Sequence, residues 1–173
     1  ESIGFDFEQI VQLIHQSQGK VVLTGVGKSG IIGMKIAASL SSTGTPALYL
    51  HATDATHGDL GMVEKKDVII AISKSGNSQE IKDLIPFLKN NGNKVIGMTA
   101  NPDSFLGKQS DHLLFTPVEK EACPHNLAPT TSTTVQLVMG DALAMSLMDL
   151  NGFQPQDFAQ IHPSGSLGKK LHL

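Results

Sequence analysis

The sequence predicts an α/β fold, a three-layer αβα sandwich around a central five-stranded parallel sheet, and three observations carry that prediction. Five short apolar runs rich in strand-forming residues recur along the chain without polar alternation, as strands buried on both faces do. Segments with helical apolar spacing lie between several of them, and right-handed strand-helix-strand crossovers then make a parallel sheet covered on both sides. The 173 residues, 40% hydrophobic and 17% charged, suit one compact domain with a full-sized core and are too apolar for a disordered chain.

Taken in order, Phe7 to Gln16 reads as a helix with Phe7, Ile10, Val11 and Ile14 on one face. Val21-Val22-Leu23-Thr24 is the first strand, and Ile31 to Leu40 returns to helical spacing. Ala47-Leu48-Tyr49-Leu50 and Val68-Ile69-Ile70-Ala71-Ile72 are the next strands, followed by a helix over Ile81 to Leu88. Val95-Ile96-Gly97-Met98 and Leu113-Leu114-Phe115 complete the sheet. Pro129 suits a helix start, and Thr130 to Leu150 reads as a long helix. Its Val135, Leu137, Val138, Met139, Leu143 and Leu147 surround most of the circumference, which predicts burial in the core or in a subunit interface. Asn151-Gly152 ends it, and Gln156 to Ile161 makes a short last helix before His162-Pro163. Repeats, low-complexity tracts and Pro-rich linkers are absent, so a single domain spans residues 1–173.

All thirteen basic side chains are lysine. The net charge of −3 gives no general attraction to nucleic acid or to an anionic membrane, so neither a nucleic-acid polymer nor a membrane is expected as partner. Without arginine there is no planar bidentate clamp, and an anion must be held by lysine, hydroxyls, backbone N–H groups or helix ends. The single cysteine, Cys123, fits a reducing cytoplasm. No apolar run is long enough for a transmembrane helix, and the N-terminal segment lacks the basic and apolar regions of a signal peptide. The chain begins Glu1-Ser2-Ile3 without methionine and reads as a trimmed chain or a fragment.

Ligands of open parallel sheets sit beyond the carboxyl ends of the strands, so the loops there come first. Gly25-Val26-Gly27-Lys28-Ser29-Gly30 matches the dinucleotide pattern, but the end of the next strand reads Leu50-His51-Ala52, without the acidic residue that would hold a ribose. A Walker A loop would need glycine where Val22 stands. What survives is a tight turn whose Gly27 and Ser29 bring backbone close to a ligand beside Lys28; the plain alternative is a strand-to-helix turn with a solvated lysine. After the third strand, Ser73-Lys74-Ser75-Gly76-Asn77-Ser78-Gln79-Glu80 offers three hydroxyls and the unpaired N–H groups of a helix start, a cradle for a small phosphate monoester. A capping box of Asn77 and Glu80 would explain those two residues but not the serines. His51, His57, Cys123, His125 and His162 lack metal-ligand spacing, so no metal is expected; Cys123 reads as structural and Glu119-Lys120-Glu121 as a solvated loop unless something else claims it.

Together the glycine turn, His57-Gly58-Asp59-Leu60-Gly61, the serine loop, Lys120-Glu121-Ala122-Cys123-Pro124, Leu127-Ala128-Pro129-Thr130-Thr131-Ser132-Thr133-Thr134 and His162-Pro163-Ser164-Gly165-Ser166-Leu167-Gly168 resemble the sugar isomerase (SIS) domain of D-arabinose 5-phosphate isomerases, from about residue 19 onward. The resemblance implies a flavodoxin-like or Rossmann-like domain that interconverts D-ribulose 5-phosphate and D-arabinose 5-phosphate, the step that leads to 3-deoxy-D-manno-octulosonate and lipopolysaccharide. It implies Lys28, Glu80, Glu121 and His162 as the functional set, with His57 close by, and a homotetramer whose sites are shared between subunits. The resemblance implies two C-terminal CBS modules beginning just after the segment where this sequence stops, so the chain is expected to be either a catalytic-domain fragment or a short form. Ser164, Ser166 and Lys74 stand where glycine, alanine and asparagine are common.

The implied chemistry suits these residue types. Moving a proton between carbons 1 and 2 of an α-hydroxy carbonyl needs a base, plus an acid or cation at the oxygen where charge develops, and no cofactor. A carboxylate shielded from water can have its pKa raised and serve as base. Glu121 is assigned as carbon base, His162 as ring-opening acid/base, Lys28 as stabiliser of the enediolate and Glu80 as hydroxyl ligand or second acid/base. Ser73, Ser75 and Ser78, with Thr130, Thr131, Ser132 and Thr133, are expected to hold the phosphate. Competing expectations are an isomerase of sedoheptulose 7-phosphate or hexulose 6-phosphate, and a non-catalytic phosphosugar sensor. A downstream sugar acid or its nucleotide conjugate is expected to inhibit by binding at the site.

Overall fold

A computed structural model of the chain describes residues 4–165. Five parallel strands run in the order β2-β1-β3-β4-β5: β1 (Val21–Gly25), β2 (Ala47–His51), β3 (Val68–Ile72), β4 (Lys94–Thr99) and β5 (His112–Phe115). Alternate residues of each strand feed two cores, because successive side chains point to opposite faces. On one face Val21, Leu23, Val68, Ile70 and Ile72 meet α1 (Phe5–Gln16), α2 (Gly27–Ser42) and α6 (Thr131–Leu150). On the other, Val22, Ile69, Ala71 and Val95 meet α3 (Ala52–Ala55), α4 (Gln79–Asn90) and α5 (Phe105–Gln109). The predicted sandwich and all five strands are present. The sequence reading omits α3, α5 and a 3-10 turn over Asp59–Met62.

α2 and α6 are the most closely packed helix pair, and the reason is local. A Cβ on Gly140 would collide with the side chain of Ile36, so glycine lets the two backbones approach. Lys35 and Asp141 pair across the same contact. Gly140→Leu is expected to lower the urea midpoint, since overpacking costs about 1–3 kcal/mol, more than the roughly 1 kcal/mol gained by removing glycine from a helix interior. An unchanged midpoint would show that the helices yield.

Burial of α6 is one-sided within the chain. Met139, Leu143, Ala144 and Leu147 enter the core, whereas Val138 (62% exposed) and Met145 (50%) face outward, as do Ile31 and Met34 of α2. The expectation of a helix apolar around its girth holds for composition, but the core takes only one face. At its far end α6 meets the end of α1, where His15 Nδ1 lies 2.6 Å from Asn151 Oδ1. α7 (Pro155–Ile161) follows.

Candidate active site

Strand order reverses between β1 and β3, so the loops that leave these strands part at their carboxyl ends and open a crevice. Gly25 stands opposite Ile72 in register, which sets the glycine turn directly beside the serine loop.

The glycine turn is built on Tyr49. Its hydroxyl donates to the Gly25 carbonyl (2.7 Å), and its ring and hydroxyl occupy the space a Cβ on Gly30 or Gly33 would need. Gly27 takes φ +56° and starts α2. The glycines are therefore accounted for by chain packing. Lys28 is not: it is exposed in the first turn of α2, with no ion pair or side-chain hydrogen bond among the described residues. Ser29 beside it is half-buried.

The serine loop is ordered from within. The Ser73 hydroxyl accepts from the Gly76 N–H (3.2 Å) and lies 2.8 Å from the Ser78 hydroxyl, and Ser75 Oγ accepts from the Asn77 N–H (3.2 Å). Gly76 has φ +66°, and a Cβ there would strike Ser104. The capping-box alternative is overturned: Ser78, not Asn77, precedes α4, and no side chain caps the helix. Asn77 instead donates to the Ser75 carbonyl and accepts from the Phe105 N–H, because its amide is needed to tie the loop to α5. The first N–H groups of α4 thus stay available at the crevice, with half-buried Glu80 beside them.

Glu121 is the buried charge of the region. One oxygen, Oε1, accepts from Lys74 Nζ at 2.6 Å; Oε2 accepts from the N–H groups of Thr130 (2.8 Å) and Ser132 (3.1 Å) and from the Thr130 hydroxyl (3.3 Å). Its own N–H donates to Asn126, whose φ of +55° bends the loop back (2.6 Å). Burial pushes the carboxyl pKa up, but the hydrogen bonds from Lys74, Ser132 and Thr130 outweigh it and hold the group well below the usual carboxylate range. The expected raised pKa is reversed here, because the carboxylate caps α6 and is paired with a cation. The solvated-loop reading of Glu121 is overturned for the same reason.

This arrangement also limits Thr130–Thr133. The start of α6 already holds the Glu121 carboxylate, and the hydroxyls of Thr133 and Thr134 donate to the Thr130 carbonyl. Thr131 is half-buried and Ser132 buried. As arranged, these residues frame Glu121, whereas the start of α4 holds no side-chain acceptor.

Cys123 is half-exposed, and its sulfur accepts from the N–H groups of Leu127 (2.9 Å) and Ala128 (3.1 Å), which hold the thiol below its usual pKa. His57 is exposed on the loop beyond β2. His162 follows α7, with Nδ1 2.8 Å from the Phe158 carbonyl and its ring stacked on Phe158 at 3.8 Å. It belongs to the opposite end of the molecule. The 20 residues of α6 carry the chain about 30 Å away from Glu121. Phe153 then packs on Gly44 at the end of α2, and the seven residues of α7 can recover only about 10 Å. Lys28, Glu80, Glu121 and the serines thus share the carboxyl edge of the sheet, and His162 of the same chain does not reach it. The final Ser166-Leu167-Gly168 lies outside the described residues. Among the described residues no group of three or more His, Cys, Asp or Glu is placed to hold a metal, and no helix is long and apolar enough to cross a membrane.

The model of the SIS domain family matches residues 13–146. The arabinose 5-phosphate isomerase KdsD of Pseudomonas aeruginosa is 51% identical over 171 residues, which cover 99% of this chain and 52% of that protein. The arabinose 5-phosphate isomerase GutQ of Escherichia coli K12 is 50% identical over 171 residues, covering 99% and 53%. The chain spans about half the length of these curated relatives. A solved structure of an E. coli CFT073 protein in complex with arabinose 5-phosphate is 47% identical with a TM-score of 0.89, covering 91% of this chain and 84% of that one.

Proposed function

The chain belongs to the SIS domain family, and from that premise we propose that it interconverts D-arabinose 5-phosphate and D-ribulose 5-phosphate. The observation that carries this reading is the crevice between β1 and β3, where hydroxyls and a free helix start face one exposed lysine and two carboxylates. Likeness to relatives named for this reaction, and to a structure in complex with arabinose 5-phosphate, supports it.

In the mechanism, the serines 73, 75 and 78 and the start of α4 take the phosphate, which leaves the carbonyl end toward Lys28. A carboxylate removes the proton from carbon 2 of the open aldose. The electron pair forms the bond between carbons 1 and 2, and the carbonyl oxygen becomes an enediolate oxygen beside the Lys28 ammonium. Transfer of the hydroxyl proton on the carbon 2 oxygen to the enediolate oxygen on carbon 1, and return of the abstracted proton to carbon 1, complete the ketose with no net gain or loss of protons. Glu121 is assigned as the base and Glu80 as hydroxyl ligand or second acid/base. No step calls for a cofactor.

Ring opening is assigned to a His162 supplied by a second copy, since the chain's own His162 lies at the far end of α6. His57 is placed next to the substrate on the same footing. A homo-oligomer with shared sites follows, and the outward apolar residues of α2 and α6 support it. A tetramer in the cytoplasm, serving lipopolysaccharide synthesis, is the extension of this reading, and a downstream sugar acid or its nucleotide conjugate would compete at the crevice.

The test is turnover of D-ribulose 5-phosphate with arabinose 5-phosphate as product. Turnover of sedoheptulose 7-phosphate or hexulose 6-phosphate in its place would move the assignment to another phosphosugar, and binding without turnover would make the domain a sensor. Ser75→Ala is expected to raise KM several-fold with little change in kcat, because phosphate is held equally in ground and transition states. An unchanged KM would remove the serine loop from the phosphate site.

A further inference from the structure

A cation inside the serine loop is engaged with a carboxylate. Lys74 lies between Ser73 and Ser75, and its backbone is fixed: its carbonyl accepts from the Ala100 N–H (3.1 Å) and the Thr99 hydroxyl (3.0 Å). Only its side chain has freedom, and that side chain reaches Glu121 Oε1 at 2.6 Å. The two partners are unequal. The Lys74 side chain is 40% open to solvent and has one partner, whereas that of Glu121 is 1% exposed and keeps the Thr130 and Ser132 N–H groups whatever Lys74 does. Lys74 is thus the member of the pair that can leave.

We propose that Lys74 is a shared counter-ion that the substrate's phosphate draws away from Glu121, so that occupation of the serine cradle also releases the carboxylate that moves the proton. This rests on the phosphosugar reading above. A phosphate monoester near neutral pH carries about −1.5 to −2, a larger charge than the carboxylate, and the serines that bracket Lys74 set it within the lysine's reach. No arginine competes for the role. Once Lys74 turns to the phosphate, the partners left to Glu121 are uncharged: two backbone N–H groups and hydroxyls. Burial then acts on it without an opposing cation, and its affinity for a proton rises. Binding energy from the non-reacting end of the substrate is thereby used at the reacting carbon. A base held down until substrate arrives also reconciles an internally paired Glu121 with its place in the mechanism.

The experiment is calorimetric titration with inorganic phosphate of the wild type, Lys74→Met, Glu121→Gln and the double variant, each first checked by thermal unfolding. Lys74→Met is expected to weaken phosphate binding tenfold or more. Glu121→Gln is expected to tighten it several-fold, because Lys74 is no longer contested, and this gain should vanish in the Lys74→Met background. Equal affinity of Lys74→Met and wild type would overturn the shared counter-ion, as would a gain from Glu121→Gln that is undiminished without Lys74, which is plain charge repulsion. A wild type that binds no phosphate overturns the cradle as well, and so separates failure of the functional reading from failure of this one. Should Lys74→Met not fold, Lys74→Gln, which can still donate to Glu121, is read in the same way.

Discussion

Glu121→Gln is expected to lower kcat for D-arabinose 5-phosphate by about two to four orders of magnitude, the range that a positioned base contributes, and to abolish solvent deuterium incorporation at carbon 2. The fold should survive. A glutamine oxygen still accepts from the Thr130 and Ser132 N–H groups, and the Lys74 side chain can turn to solvent. Stability should nevertheless fall at neutral pH, and the sign follows from linkage. The folded Glu121 pKa lies below its unfolded value. Its contribution is therefore full above the ordinary carboxylate range, near pH 4 to 5, and is given up as pH falls below about 4 toward the folded value. The variant lacks that contribution, so the difference in Tm between wild type and Glu121→Gln should narrow on acidification. Undiminished deuterium exchange would leave Glu121 as the cap of α6 and move the base role to Glu80.

The sheet was legible because burial on both faces writes continuous apolar runs, and Val68–Ile72 is one on each count. Helices long enough to show a period were legible too. α3 and α5, of four and five residues, have no period to show; Ala52, Ala55 and Leu106 are held by the core they fill, and Ser104 caps α5 by accepting from the Gly107 N–H. α2 begins at Gly27, four residues before its apolar spacing starts, because its first turn is given to Gly27, which has a positive φ, to Lys28 and Ser29, and to Gly30, which fits against Tyr49.

The site divides along the same line. Residues on loops that directly follow strands, such as Lys28 and Ser73 to Ser78, could be placed from order along the chain. The setting of Glu121 could not, because its partners Lys74 and Thr130 lie 47 and 9 residues away and come together only through the fold. Nothing local marks Tyr49 as the support of the glycine turn either. The position of His162 was hidden for another reason: a periodic pattern gives the length of α6 but not the fact that its far end lies beyond reach of the crevice. The missing arginine gains meaning from these placements, since the cations this chain brings to the crevice are the lysines 28 and 74.

Lys28→Met separates function from fold more sharply than any other substitution, because its effects on the two have opposite signs. Lys28 stands in the first turn of α2, where the helix dipole is positive, and a cation there costs about 0.3–1 kcal/mol. It is exposed and has no ion pair or side-chain hydrogen bond among the described residues, so the side chain brings no compensating contact. Stability gives no reason for lysine at this point. Charge developing on a substrate oxygen does, since a fixed donor or cation aimed at such an oxygen is worth about two to three orders of magnitude in kcat. Lys28→Met is therefore expected to keep or slightly raise Tm, to leave KM within a few-fold, and to lower kcat about a hundredfold or more. Retained kcat would exclude Lys28 from the enediolate. A kcat and Tm that fall together would show that Lys28 acts through the turn it sits on, and the stabilising cation would then have to be sought elsewhere on the crevice.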